Sequence, residues 1–117
     1  MNLNTQQVRY NESGKAGIEF QIVNEALNEL QRARKRYPDW PVDVVHATVV
    51  MVEEATEALK SANEVRWNHK SASLADLREE VIQTIAMCLR LIVETPGLAD
   101  ARHPESQPQV FTTHNKV

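Results

Sequence analysis

Three glutamates stand within five positions in the stretch Val52-Glu53-Glu54-Ala55-Thr56-Glu57-Ala58-Leu59. Carboxylates three or four residues apart share a helix face and repel one another. Such a cluster costs stability unless solvent or a cation relieves it. Taken alone, the stretch reads as the solvated side of an amphipathic helix. Val45, Met51, Val52, Ala55, Ala58, Leu59 and Ala62 fall on the opposite side of the helical wheel. A second stripe changes that reading. Glu80 and Gln83 stand one turn apart, in line with Asp76 before them and Met87 after them. If the two helices pack antiparallel, the pairs Glu54/Glu57 and Glu80/Gln83 converge their oxygen-bearing groups on one point. Mg2+, and Mn2+ with it, takes oxygen ligands of this kind and keeps waters and phosphates in its shell. A bound cation would also offset the repulsion among the acids.

Other metal chemistries fit less well. A di-iron or di-manganese carboxylate bundle needs Glu-x-x-His on two helices, and positions 60 and 83 hold Lys and Gln. His46, His69, His103 and His114 are scattered along the chain and Cys88 stands alone, so zinc has no evident ligand set.

The elements that must position these residues are helical. Ile18, Ile22, Ala26, Leu30 and Ala33 recur at spacings of three and four, which predicts a helix over about 16–36. Its closing run Arg32-Ala33-Arg34-Lys35-Arg36 suits the negative end of the helix dipole. Pro38 and Pro41 break it. The second helix opens with Asp43 as its N-cap and runs to about Ala62 or a few residues beyond. The third opens near Ser73, with Asp76 three positions on, and stops near Glu94 before Pro96 and Gly97. Between Val81 and Val93 its apolar residues point nearly all round the axis. A helix apolar all round must be surrounded, and two partner helices of so short a chain cannot do that. The expectation is an all-α bundle of three main helices per chain, completed by homo-oligomerisation. An N-terminal arm occupies residues 1–15, the helical domain 16–97, and an extended C-terminal tail 98–117.

The bulk properties narrow the function classes. At 117 residues with 42% hydrophobic and 25% charged residues, the chain has the make-up of one globular domain. A net charge of −3 argues against a nucleic-acid partner. No apolar segment of a signal peptide is visible, and the run Val81–Val93 is too short and too interrupted to span a bilayer. One cysteine excludes an internal disulfide framework. A cytoplasmic protein without a membrane partner is the resulting expectation.

Glu-Glu-x-x-Glu over Glu53–Glu57, followed after twenty-two residues by Glu80-Val81-Ile82-Gln83, resembles the paired motifs of the MazG-type all-α nucleoside triphosphate pyrophosphohydrolases. The resemblance covers about residues 43–93. It implies hydrolysis of a nucleoside or deoxynucleoside triphosphate between its α and β phosphates, giving the monophosphate and pyrophosphate. It further implies Mg2+ or Mn2+, a homo-dimer or tetramer, and a house-cleaning role in the nucleotide pool. By the motif match, Glu54, Glu57, Glu80 and Gln83 are the metal positions, and Glu53 orients or deprotonates the attacking water. The family's last motif residue is Asp where this chain has Gln83, which removes one negative charge from the site. A helical interaction module without catalysis, its metal site degenerate, is the competing expectation.

His46, Lys60, Trp67 and Lys70 are the candidate substrate contacts. The lysines could neutralise outer phosphates or simply be solvated. Trp67, like Trp40, could stack on a base or cap the core. His46 lies on the acidic stripe ahead of Glu53.

Overall fold

The computed structural model describes residues 14–67 and 73–103. The candidate contact Lys70, the arm before residue 14 and the tail beyond residue 103 lie outside the described residues. Within them the fold is all-helical, with α1 over Lys15–Arg36, α2 over Val44–Arg66 and α3 over Leu74–Glu94, and no strand.

Each boundary has a local cause. Gly14 precedes α1 in the left-handed region (φ 78°), which glycine enters without steric cost. The Asp43 carboxylate accepts the His46 backbone N–H at 2.9 Å and so opens α2. The Ser73 hydroxyl does the same for Asp76 N–H at 3.0 Å and opens α3. Each cap satisfies one of the donors that a helix start leaves unpaired. After α3, Leu98 N–H returns to the Thr95 carbonyl at 3.1 Å. Pro96 and Gly97 occupy the middle of this turn, and Gly97 has φ 82°. This is the type II arrangement, which favours proline second and needs a positive φ third.

α3 is the central element. α2 packs antiparallel along one side of it, with Val50 and Met51 near Met87. α1 also packs on α3 and runs parallel to it. Glu25, midway along α1, meets Arg78 in the first turns of α3, and Arg34 meets Glu94 where both helices end. α1 and α2 do not pack directly on each other. The core is thin. Leu30, Ala86 and Met87 form its centre, covered by Ala33, Trp40, Val50, Met51 and Leu89. Ala16, Ala26 and Ala47 are also fully buried, so small residues make much of the close approach between helices.

The surround expected for α3 is not completed by one chain. Val81, Ile92 and Val93 stay exposed on α3, and Val45, Val52 and Leu59 stay exposed on the apolar side of α2.

Candidate functional site

α1 and α2 diverge over α3 and enclose a cleft of about 1080 Å3. Its floor is one stripe of α3: Glu79, Gln83, Met87 and Arg90. α2 contributes Val50, Glu53 and Glu54 to one wall. The C-terminal half of α1 contributes Glu29, Arg32, Lys35 and Arg36 to the other. The connector closes the end with Tyr37, Asp39 and Trp40.

The motif residues divide between the cleft and its flank. Glu53, Glu54 and Gln83 line the cleft, whereas Glu57 and Glu80 do not. Glu54 nevertheless connects the two groups. Burial raises its pKa above the ordinary carboxylate value, and the negative charges of Glu80, Glu57, Glu29 and Glu53 raise it further. Burial likewise raises Glu80, helped by the charges of Glu57, Glu79 and Asp76. Glu54, Glu57 and Glu80 therefore form an electrostatically coupled trio across α2 and α3, the repulsion expected from their spacing. Coupling is not convergence. Among the described residues, no three His, Cys, Asp or Glu side chains are gathered closely enough to hold a metal ion.

The donor set itself is all oxygen, as a hard dication requires. Glu57 is exposed and Glu54, Glu80 and Gln83 are half-buried, so these long side chains have room to change rotamer. The residues present fit Mg2+ in donor chemistry, although their carboxylates are not gathered on one point.

Of the candidate substrate contacts, His46 is exposed at the start of α2 and lines no cleft wall. Lys60 and Trp67 border a separate hollow of about 330 Å3, together with Thr56, Leu59 and Asn63. Trp67 is 68% exposed, with the Arg66 guanidinium over its ring at 5.3 Å. Trp40 is held in place instead: its indole N–H donates to Thr95 Oγ1 at 3.1 Å, and its ring packs against the core.

Three features were missed from sequence. Glu79, not Glu80, shares the cleft floor with Gln83. The basic run closing α1 faces the cleft through Arg32, Lys35 and Arg36. Arg90, only 2% exposed, donates from Nη2 to the Tyr37 carbonyl at 2.7 Å and from Nε to Glu94 at 3.1 Å. Its guanidinium lies 4.9 Å from the centre of the Trp40 ring. No sequence signal marks Arg90, whereas the i, i+3, i+4 spacing of Arg32, Lys35 and Arg36 could have shown their common face.

No described helix is long and apolar enough to cross a membrane. No family model matches the chain, and no curated protein or solved structure matches it.

Proposed function

We propose that the chain is a Mg2+-dependent hydrolase of a nucleoside triphosphate, with deoxynucleoside triphosphates as the preferred class. It releases the monophosphate and pyrophosphate as a cytoplasmic house-cleaning enzyme. The observation that carries this reading is the coupled trio Glu54, Glu57 and Glu80, contributed by two helices beside a cleft of nucleotide size. The resemblance of Glu53–Glu57 and Glu80–Gln83 to the MazG-type motifs supports it. Glu54, Glu57 and Glu80, with the amide oxygen of Gln83, would hold the ion, and Mn2+ has the same donor preference. When bound, such an ion neutralises phosphate charge and lowers the pKa of water.

The chain's own residues do the rest. Glu53 reaches into the cleft beside Glu54 and accepts a hydrogen bond, then the proton, from the attacking water. Water oxygen adds at the α phosphorus and pyrophosphate leaves with the bridging oxygen, so atoms and charge balance. The assembly is a homo-dimer or tetramer, supported by the apolar side chains of α2 and α3 that a single chain leaves uncovered.

A second reading, a helical oligomerisation module without catalysis, is favoured by Gln83 in place of an acid and by the ungathered carboxylates. A screen of nucleoside triphosphates with Mg2+ or Mn2+, scoring pyrophosphate release, separates the two. Release from at least one nucleotide, abolished by Glu54→Gln, is expected. No release from any nucleotide, together with no rise in melting temperature on adding either ion, would overturn the enzyme reading.

A further inference from the structure

The cleft is polar in an ordered sense. One wall carries the α2 acids Glu53 and Glu54, and the facing wall carries the α1 cations Arg32, Lys35 and Arg36. We infer that the cationic end of α1 is the phosphate-binding wall, and that the polyphosphate chain of a nucleotide lies between it and the acids of α2 and α3. The inference rests on the nucleotide reading above and adds the side chains that take the phosphates.

Dipole complementarity explains why basic residues close α1, but not why three of them face the cleft. At i, i+3 and i+4 they share one side of the helix. The fourth, Arg34, is not part of this wall and donates instead to Glu94. Lys35 and Arg36 take part in none of the ion pairs among the described residues, although Arg36 lies 5.6 Å from the centre of the Tyr37 ring.

Two carboxylates temper the wall: Asp39 and Glu29, the latter paired with Arg32 at 2.7 Å. The Arg32 side chain is 68% exposed, and an exposed pair of this kind contributes little. An incoming phosphate can therefore take over the guanidinium, for which it is a good bidentate partner.

The opposite wall decides the class of anion. A simple anion held by α1 would face the α2 acids and be repelled. A polyphosphate carrying a dication presents phosphate oxygens to one wall and positive charge to the other, which matches both. At about 1080 Å3 the cleft also has room for a nucleoside beyond the phosphates, since ligand pockets run to roughly 300–1,000 Å3.

The test is calorimetric titration of the full chain with inorganic tripolyphosphate, in Mg2+ and in EDTA, alongside the pyrophosphate-release assay. Binding by the native chain should weaken roughly tenfold for each cation removed in Arg32→Ala and in Lys35→Ala/Arg36→Ala, with unchanged circular dichroism melts. Arg102→Ala, at a residue that does not line the cleft, should bind as the native chain does. Tripolyphosphate binding undiminished in Lys35→Ala/Arg36→Ala overturns the inference, as does no binding by the native chain in either buffer. Binding that depends on α1, without hydrolysis of any nucleotide and without a rise in melting temperature on adding Mg2+ or Mn2+, upholds the wall and overturns the enzyme reading. Full hydrolysis by Lys35→Ala/Arg36→Ala does the reverse.

Discussion

Arg90 Nη2 donates to the Tyr37 carbonyl oxygen at 2.7 Å, tying the last turns of α3 to the first residue beyond α1. The same guanidinium reaches the Ala33 carbonyl at 3.5 Å, the Glu94 carboxylate and the Trp40 ring. One buried cation thus satisfies the Tyr37 carbonyl just beyond α1 and adds a second donor to the Ala33 carbonyl, which already accepts the Tyr37 N–H at 2.8 Å. It also holds the closed end of the cleft. Arg90→Met should cost about 2–4 kcal/mol, because the Tyr37 carbonyl loses its donor and the Glu94 carboxylate keeps only Arg34. Arg90→Lys should recover only part, since an ammonium cannot reproduce the planar fork. Arg32→Ala, in an exposed pair, should stay within about 0.5 kcal/mol. Urea unfolding of the three variants checks the ranking, and equal losses would refute it.

The carboxylates make opposite contributions to the pH dependence of metal-free stability. Burial and neighbouring acids raise Glu54 and Glu80 above the ordinary value of 4.5. A raised acid is unfavourable to the fold once pH exceeds its folded pKa, and neutral to it below 4.5. Glu54→Gln should therefore stabilise the metal-free chain at pH 7, by about 0.2–0.5 kcal/mol per relieved like-charge pair. The gain should vanish as pH falls towards 4.5. Burial also pushes Glu94 up, but hydrogen bonds from Arg34 and Arg90 outweigh it and hold the carboxyl below 4.5. Glu94→Gln should cost stability at pH 7, and the cost should fade as pH drops through that lowered value. Thermal melts from pH 7 down to about pH 2 test both signs.

Gln83 lines the cleft where the MazG-type motif has an acid. Gln83→Asp should raise Mg2+ affinity roughly tenfold, by adding a charged oxygen ligand. It should lower stability in EDTA, because a further negative charge joins Glu54 and Glu79. Calorimetric Mg2+ titration and melts in EDTA give the two readouts. An unchanged affinity would show that position 83 does not face the ion.

Ile92 and Val93 are 50% and 59% exposed near the end of α3. If a second copy covers them, Ile92→Lys/Val93→Lys should convert the assembly to monomer while leaving the helical circular dichroism in place. Light scattering on both proteins decides this, and a monomeric native chain at micromolar concentration would remove the oligomer from the proposal.

Much of the fold was legible because its boundaries are chemical. Asp43 and Ser73 have side chains that cap a helix start, and Pro38 and Pro96 cannot continue one, so all three helices lie where periodicity and punctuation put them. The rotation of α3 was not legible. Between Val81 and Val93 apolar residues fall on nearly every side and blur the polar stripe, and the cleft takes Glu79 where the motif register favours Glu80. Arg90 escaped for a related reason: a lone arginine among apolar residues reads as an interruption, and only the carbonyls at the end of α1 explain it. The acid trio could be read as neighbours from spacing on α2 and antiparallel packing on α3. Its failure to gather on one point depends on side-chain rotamers, which spacing does not encode.

Among the described residues the two walls of the cleft join at α3 and at the small core that Leu30, Val50 and Met51 share with Met87. They behave as two beams fixed to one post, joined at one end by the connector from Tyr37 to Asp43 with its prolines Pro38 and Pro41. Among the described residues only that thin core resists their spreading, so the width of the gap is set at the post and at that stiffened corner. A molecule that grips both sides acts as the strut that the fold itself omits.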